Sequence, residues 1–137
     1  MLRLLEDNRE FLASRVGAEL QVQHVLVRDL GKVRGKECKR EWLTNDAEKI
    51  FNDPSVDLVV EVIGGEAPAR TYLERALKGG RSVVTANKFL ISKHGPALVR
   101  AAIENRVDLA FEASVGGGIP IIRTLREALA SDTVSSV

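Results

Sequence analysis

Two kinds of apolar pattern alternate along this chain: short continuous runs of aliphatic and β-branched residues, and stretches in which apolar positions return every three or four residues. The first suits buried strands and the second suits amphipathic helices. Leu2, Leu4, Leu5, Phe11 and Leu12 recur at helical spacing, which predicts a helix over residues 1–15, ended by Gly17. Residues 20–27 alternate and then become continuously apolar, a strand with Arg28 and Asp29 at its end. Residues 31–41 are polar and read as a loop. Asn45 or Asp46 is placed to cap a short helix carrying Ile50 and Phe51, and Asp53-Pro54-Ser55 reads as a turn. Residues 56–63 read as a buried strand ending in Gly64-Gly65. Residues 68–78 read as a helix with Ala69, Tyr72, Leu73, Ala76 and Leu77 on its inner stripe, stopped by Gly79-Gly80. A strand over 81–85 follows, then a helix over 88–105 with Ile91, Leu98, Ala101 and Ala102 inward. Residues 107–112 read as a strand, 120–130 as a helix, and 133–137 as the start of a further strand. This order calls for parallel strands joined by right-handed crossovers, hence an α/β, doubly wound parallel sheet.

In such a sheet, ligands bind beyond the carboxyl ends of the strands. Two junctions there carry chemistry. The strand ending in Val83, Val84 and Thr85 is followed by Ala86, Asn87 and Lys88, with a helix starting at about Phe89. A lysine at that junction is placed to hold a phosphate or a substrate oxygen, or to act as an acid after a pKa shift. Taken by itself it reads more readily as a solvated lysine in a first helical turn. The last strand ends in Glu112, followed by Gly116, Gly117, Gly118 and then Pro120 opening a helix. Adjacent glycines suit a close ligand approach or a tight turn, and a helix N-terminus favours anions. A turn without a ligand explains the glycines as well.

Composition narrows the function classes. Lysine plus arginine is 20 against 19 aspartate plus glutamate, so no basic excess points to nucleic acid. A hydrophobic fraction of 45% supports an ordinary core, and a length of 137 residues suits one domain. No apolar run approaches a membrane span, and Arg3, Glu6 and Asp7 among the first leucines argue against a signal peptide. The single Cys38 makes no internal disulfide and fits a cytoplasmic setting. His24 and His94 are too far apart in sequence to suggest a metal pair.

Read together, TANKFLISKHG (85–95) and FEASVGGGIPIIRTLREAL (111–129) resemble the nucleotide-binding domain of homoserine dehydrogenase. VDLVVEVIGGEAPARTYLERALKGGRSVVTANK (56–88) fits the same pattern, and the resemblance covers nearly the whole chain. It implies a Rossmann-like NAD(P)-binding domain and the reduction of aspartate 4-semialdehyde to homoserine, on the way to threonine, methionine and isoleucine. It implies a catalytic or cofactor-holding role for Lys88, beside the nicotinamide and the substrate. Thr85, Ala86 and Asn87 would line the same cofactor edge, and Ile63, Gly64 and Gly65 would lie where the nicotinamide side passes. Arg28 suits a 2′-phosphate and hence NADP, while the adjacent Asp29 keeps NAD open. Glu112 and the backbone carbonyls of Val115, Gly117 and Ile119 resemble the family's site for a sodium ion, whose role would be structural.

The resemblance also implies absences. The first strand and its GxGxxG turn would precede Met1, and the substrate-binding region, with a second catalytic lysine and an acidic cluster, would follow Val137. Residues 1–137 are therefore expected to be a partial NAD(P)-binding domain, inactive alone, and either poorly stable or a homodimer. Two other readings are a related dehydrogenase with a different substrate and a non-catalytic interaction or regulatory domain derived from the enzyme.

Overall fold

Every strand pair in the computed structural model, which describes residues 1–128, is parallel. The strands form two separate sheets, one of two strands and one of three. The chain correspondingly divides into two compact units, Met1–Ser55 and the part from Val56 onward. The strand expected at residues 133–137, and the end of the helix expected over 120–130, lie outside the described residues.

In the first unit the expected helix over 1–15 is two helices, α1 (Leu2–Asp7) and α2 (Arg9–Val16), with Asn8 between them. The Asn8 side-chain amide donates to the Leu4 carbonyl at 2.9 Å. This local bond competes with helix continuation. Neither helix has a buried residue, so no packing overrides the break. The strand expected over 20–27 contracts to β1 (Val25–Leu26), paired with β2 (Leu43–Thr44), a strand the polar sequence before it did not announce. Thr44 is 4% exposed, and its hydroxyl accepts the Asp46 amide at 3.0 Å. Of the two capping candidates the structure selects Asp46: its carboxylate accepts the Glu48 amide at 2.9 Å, at the start of α3 (Glu48–Phe51).

The turn at Asp53-Pro54-Ser55 is locked by its first residue. Asp53 Oδ1 accepts the Ser55 amide at 2.9 Å and the Ser55 hydroxyl at 2.7 Å, while Oδ2 meets His24 Nε2 at 2.7 Å. Serine and histidine both address the carboxylate, so the trio is not a nucleophile–base relay. The Ser55 hydroxyl, followed by His24 and the Ser55 amide, holds the Asp53 carboxyl at about 2, against an ordinary 3.8.

The second unit runs β3 (Leu58–Glu61), α4 (Ala69–Lys78), β4 (Ser82–Thr85), α5 (Lys88–Asn105), β5 (Leu109–Ala110), α6 (Glu112–Val115) and α7 (Ile121–Arg123), with a wide helical turn continuing through Thr124–Ala128. The sheet order is β3-β4-β5, with Glu61 opposite Thr85 and Val84 opposite Ala110. Helices α4 and α5 serve as the crossovers and pack on each other. Their inner faces carry Ala69, Leu73, Ala76 and Leu77 from α4 and Leu90, Leu98 and Ala102 from α5, all buried. Val83 and Leu109 meet them from the sheet side of the core. Tyr72, Ile91 and Ala101, expected inward, are only half-buried.

The expected strand over 56–63 is shorter, and its apolar side chains are not its buried ones. Leu58 is 45% and Val60 39% exposed, while Glu61 is 3% exposed. A continuous apolar run carries no period, so the sequence did not say which alternate residues face the helices. The strand over 107–112 likewise contracts to β5, because Glu112 already belongs to α6.

Two expected outcomes test this packing. Leu73 is fully buried, so Leu73→Ala is expected to destabilise the chain by about 2–5 kcal/mol in a denaturant titration. Val33, 92% exposed, is the control, and its alanine variant is expected to stay within about 0.5 kcal/mol. A carboxyl with a lowered folded-state pKa stabilises the fold above its unfolded value, and that contribution is lost as pH falls through the folded value. The fluorescence of Trp42, the only tryptophan and a residue of the first unit, is therefore expected to report loosening between pH 3.8 and about 2, and Asp53→Asn to flatten that part of the curve.

Candidate functional site

The second unit gathers its polar chemistry at the carboxyl ends of β3 and β4. The centre is Glu61, the last residue of β3. Its Oε1 accepts the backbone amides of Ile63 at 2.7 Å and Gly64 at 3.0 Å, and lies 3.5 Å from the Asn87 amide nitrogen. Its Oε2 accepts the Thr85 hydroxyl at 2.6 Å. The Thr85 hydroxyl in turn accepts the Asn87 backbone amide at 3.0 Å. Burying a carboxylate is unfavourable unless its lone pairs are used, and here donors address both oxygens.

Asn87 completes the join. Its side-chain amide donates to the Gly65 carbonyl at 2.8 Å, and its Oδ1 accepts the Leu90 amide at 3.2 Å, capping α5. One side chain thus fixes the loop after β3 and the start of the helix after β4. Ser114 extends the join to the third strand end, its hydroxyl donating to the Thr85 carbonyl at 2.8 Å.

The residues expected at the cofactor edge divide into two groups. Thr85 is 0% and Asn87 4% exposed, so their side chains form a support behind the surface. Ile63, Gly64, Ala86 and Lys88 are exposed and make the surface itself. Gly64 and Gly65 have φ of +77° and +71°, a conformation that side chains disfavour, and a Cβ built on either would meet no atom within 4 Å. The backbone there borders open space, as a flat ligand edge requires. Lys88 opens α5, and no hydrogen bond or ion pair engages its ammonium among the described residues. The open Gly64–Gly65 backbone and the exposed Lys88 are compatible with a flat, anionic ligand such as a dinucleotide.

Beside this surface, Glu66 accepts Lys93 Nζ at 2.9 Å and His94 Nε2 at 2.7 Å, both from α5. The Lys93 bond first, and the His94 bond next, hold the Glu66 carboxyl below its ordinary range. The loop after β3 is therefore anchored to α5 at two depths, inside by Asn87 and outside by Glu66.

The glycine loop after β5 folds back so that α7 begins against Glu112. The two Glu112 carboxylate oxygens accept the backbone amides of Ile122 at 2.8 Å and Arg123 at 3.0 Å, at the start of α7. The Ile119 carbonyl accepts the Ile121 amide at 2.9 Å. Glu112 thus holds two amides at the start of α7, and the Ile119 carbonyl is engaged within the turn. Gly116 has a steric reason: a Cβ there would stand 2.8 Å from the Ile119 carbonyl oxygen. That contact matches the tight-turn reading of the glycines. Among the described residues no group of three or more histidine, cysteine, aspartate or glutamate side chains could hold a metal.

Arg28 is exposed just after β1, in the first unit. Asp29 is exposed beside it; its carboxylate accepts the Gly31 amide at 2.7 Å, and its carbonyl accepts Arg34 at 2.7 Å. A cavity of about 380 Å³ in the same unit, lined by Leu2, Leu5, Leu20, Val22 and Trp42 among others, contains none of the candidate residues.

Sequence reasoning missed Glu61 and Ser114. Glu61 had a legible signal, since a lone carboxylate inside LVVEVIGG is rarely buried without partners. Ser114 had none, because its bond depends on where α6 places it.

The pattern described as homoserine dehydrogenase, NAD binding domain, matches residues 1–112. Over all 137 residues the chain is 42% identical to a homoserine dehydrogenase of Bacillus subtilis and 44% identical to one of Corynebacterium glutamicum. It spans 32% and 31% of their lengths. A solved homoserine dehydrogenase structure from Thiobacillus denitrificans superposes with a TM-score of 0.83 at 39% identity, over 96% of this chain and 30% of that one. One from S. aureus gives 0.78 at 40% identity, over 83% of this chain and 29% of that one. No helix among the described residues is long and apolar enough to cross a membrane. The dinucleotide-binding fold reached from the strand ends and the match over residues 1–112 agree, and the chain belongs to the homoserine dehydrogenase family, as part of its NAD-binding domain.

Proposed function

We propose that this chain forms the nicotinamide side of the cofactor site of a cytoplasmic, homodimeric homoserine dehydrogenase, which reduces L-aspartate 4-semialdehyde to L-homoserine in the synthesis of threonine, methionine and isoleucine. The observation that carries the reading is the join made by Glu61 and Asn87, which holds the open Gly64–Gly65 backbone beside the turn that leads into Lys88. Ile63, Gly64 and Ala86 form the wall against which the nicotinamide rests. When bound, the nicotinamide supplies the hydride that an aldehyde carbon needs to become an alcohol.

The chain's own contribution is orientation and charge. Lys88 stands at the N-terminus of α5 with its ammonium unengaged among the described residues, and holds either the cofactor or the aldehyde oxygen. A fixed positive charge there stabilises the negative charge that grows on that oxygen during reduction. Arg28, exposed beside Asp29 just after β1, suits a 2′-phosphate and inclines the reading to NADP over NAD. The reading requires no ion at the Glu112 loop. The chain spans about a third of its relatives' length, so substrate-binding groups from elsewhere in the intact enzyme complete the reaction, and the chain alone is not expected to turn over.

Melting the purified chain with and without NADPH tests this. Ligand that binds only the folded state at about a hundred times its Kd adds about 2.7 kcal/mol of stability, so the midpoint is expected to rise. Lys88→Ala is expected to shrink that rise without lowering the ligand-free midpoint, because Lys88 is exposed. A midpoint unchanged by millimolar NADPH would sink the cofactor reading for this chain.

A further inference from the structure

We infer that Glu61 is a positioning residue for the nicotinamide, a role that rests on the cofactor reading above and deepens it. Glu61 lies 3% exposed behind the surface and does not face the ligand side. Its Oε1 draws in the amides of Ile63 and Gly64, two consecutive groups of the wall on which the nicotinamide would rest. Its Oε2 receives the Thr85 hydroxyl, and that hydroxyl accepts the backbone amide of Asn87, the residue before Lys88. One carboxylate therefore sets both halves of the surface: the wall through two peptide groups, and the lysine-bearing turn through Thr85 and Asn87.

A side chain that served packing alone at this position would be apolar. The neighbouring buried positions that serve packing, Leu73, Leu77 and Val83, are apolar. A carboxylate suits the position because four donors address its two oxygens, three at Oε1 and one at Oε2. Its loss would free the Ile63 and Gly64 amides to turn outward, and would release the left-handed Gly64–Gly65 pair from the single conformation that borders open space. Positioning by such a support acts on the geometry of the bound ring, so it alters affinity and ring environment and not only the melting temperature.

Glu61→Gln in the full 137-residue chain tests this, since it keeps the shape while replacing one acceptor by a donor. NADPH is titrated by the fluorescence of its own nicotinamide, well below the melting midpoint of each protein. The expected result is a Kd about tenfold higher, the scale of one hydrogen bond to a charged group, with a changed nicotinamide emission at saturation. An unchanged Kd and emission, with only a lower melting midpoint, would show a purely structural Glu61 and overturn the proposal. Binding absent already in the wild-type chain overturns the cofactor reading, and this proposal falls with it. Thr85→Val provides a second route if the glutamine variant does not fold. It removes the hydroxyl that links Glu61 to Asn87 while preserving volume, and is expected to change Kd and emission in the same direction; no change in either overturns the proposal.

Discussion

A buried carboxylate is among the least tolerated groups in a protein interior, and the second unit is organised around satisfying one. Glu61 is supplied with donors from its own loop, from the neighbouring strand and from the cap of the next helix. Meeting that demand fixes where β3 ends, how the Gly64–Gly65 backbone lies and where α5 begins. The register Glu61 opposite Thr85 is the sheet-level expression of the same requirement. Slipping it by one residue would point the carboxylate to the opposite face, away from Thr85 and Asn87.

Around this centre the molecule separates two tasks. The exposed residues Ile63, Gly64, Ala86 and Lys88 form the surface, and the buried residues Glu61, Thr85 and Asn87 hold it. Glu66 with Lys93 and His94 ties the same loop to α5 from outside. Glu112 works on the same principle at the third strand end, where a carboxylate is used to organise backbone amides of the next helix. In each case an acidic side chain acts as an acceptor for chain architecture, while the ammonium of Lys88 is engaged by no hydrogen bond or ion pair among the described residues.

The sequence was most legible where elements pack. The helix over 88–105 appears with both expected ends, and α4 and β4 each begin one residue later than expected. Glycines stop α4, Asn87 caps α5, and apolar stripes lock both into the core, so local and tertiary signals agree. The N-terminal stretch was less legible because its helices bury nothing, and a local Asn8 bond then decides the outcome. The strand over 56–63 was found but its faces were not, because Val59, Val60 and Val62 look alike while only alternate positions turn inward. Lys88 could be picked out from its junction. Glu61 could not be assigned a role without the neighbouring strand, since its partners lie 24 and 26 residues away.

Those separations have a kinetic consequence. The bonds that join one strand end to the next close across chain intervals of 22 to 29 residues, most of them spanning the α4 crossover. None can form until a crossover helix has folded back and parallel strands have met, a slow, loop-closing event compared with making a helix or a hairpin. The local bonds of Glu61 to Ile63 and Gly64 are therefore not joined to the Thr85–Asn87 turn at an early stage. The joined site comes into being in the same cooperative step as the Leu73–Leu77 core, so a folding intermediate with native-like helices would still lack a place for a ligand.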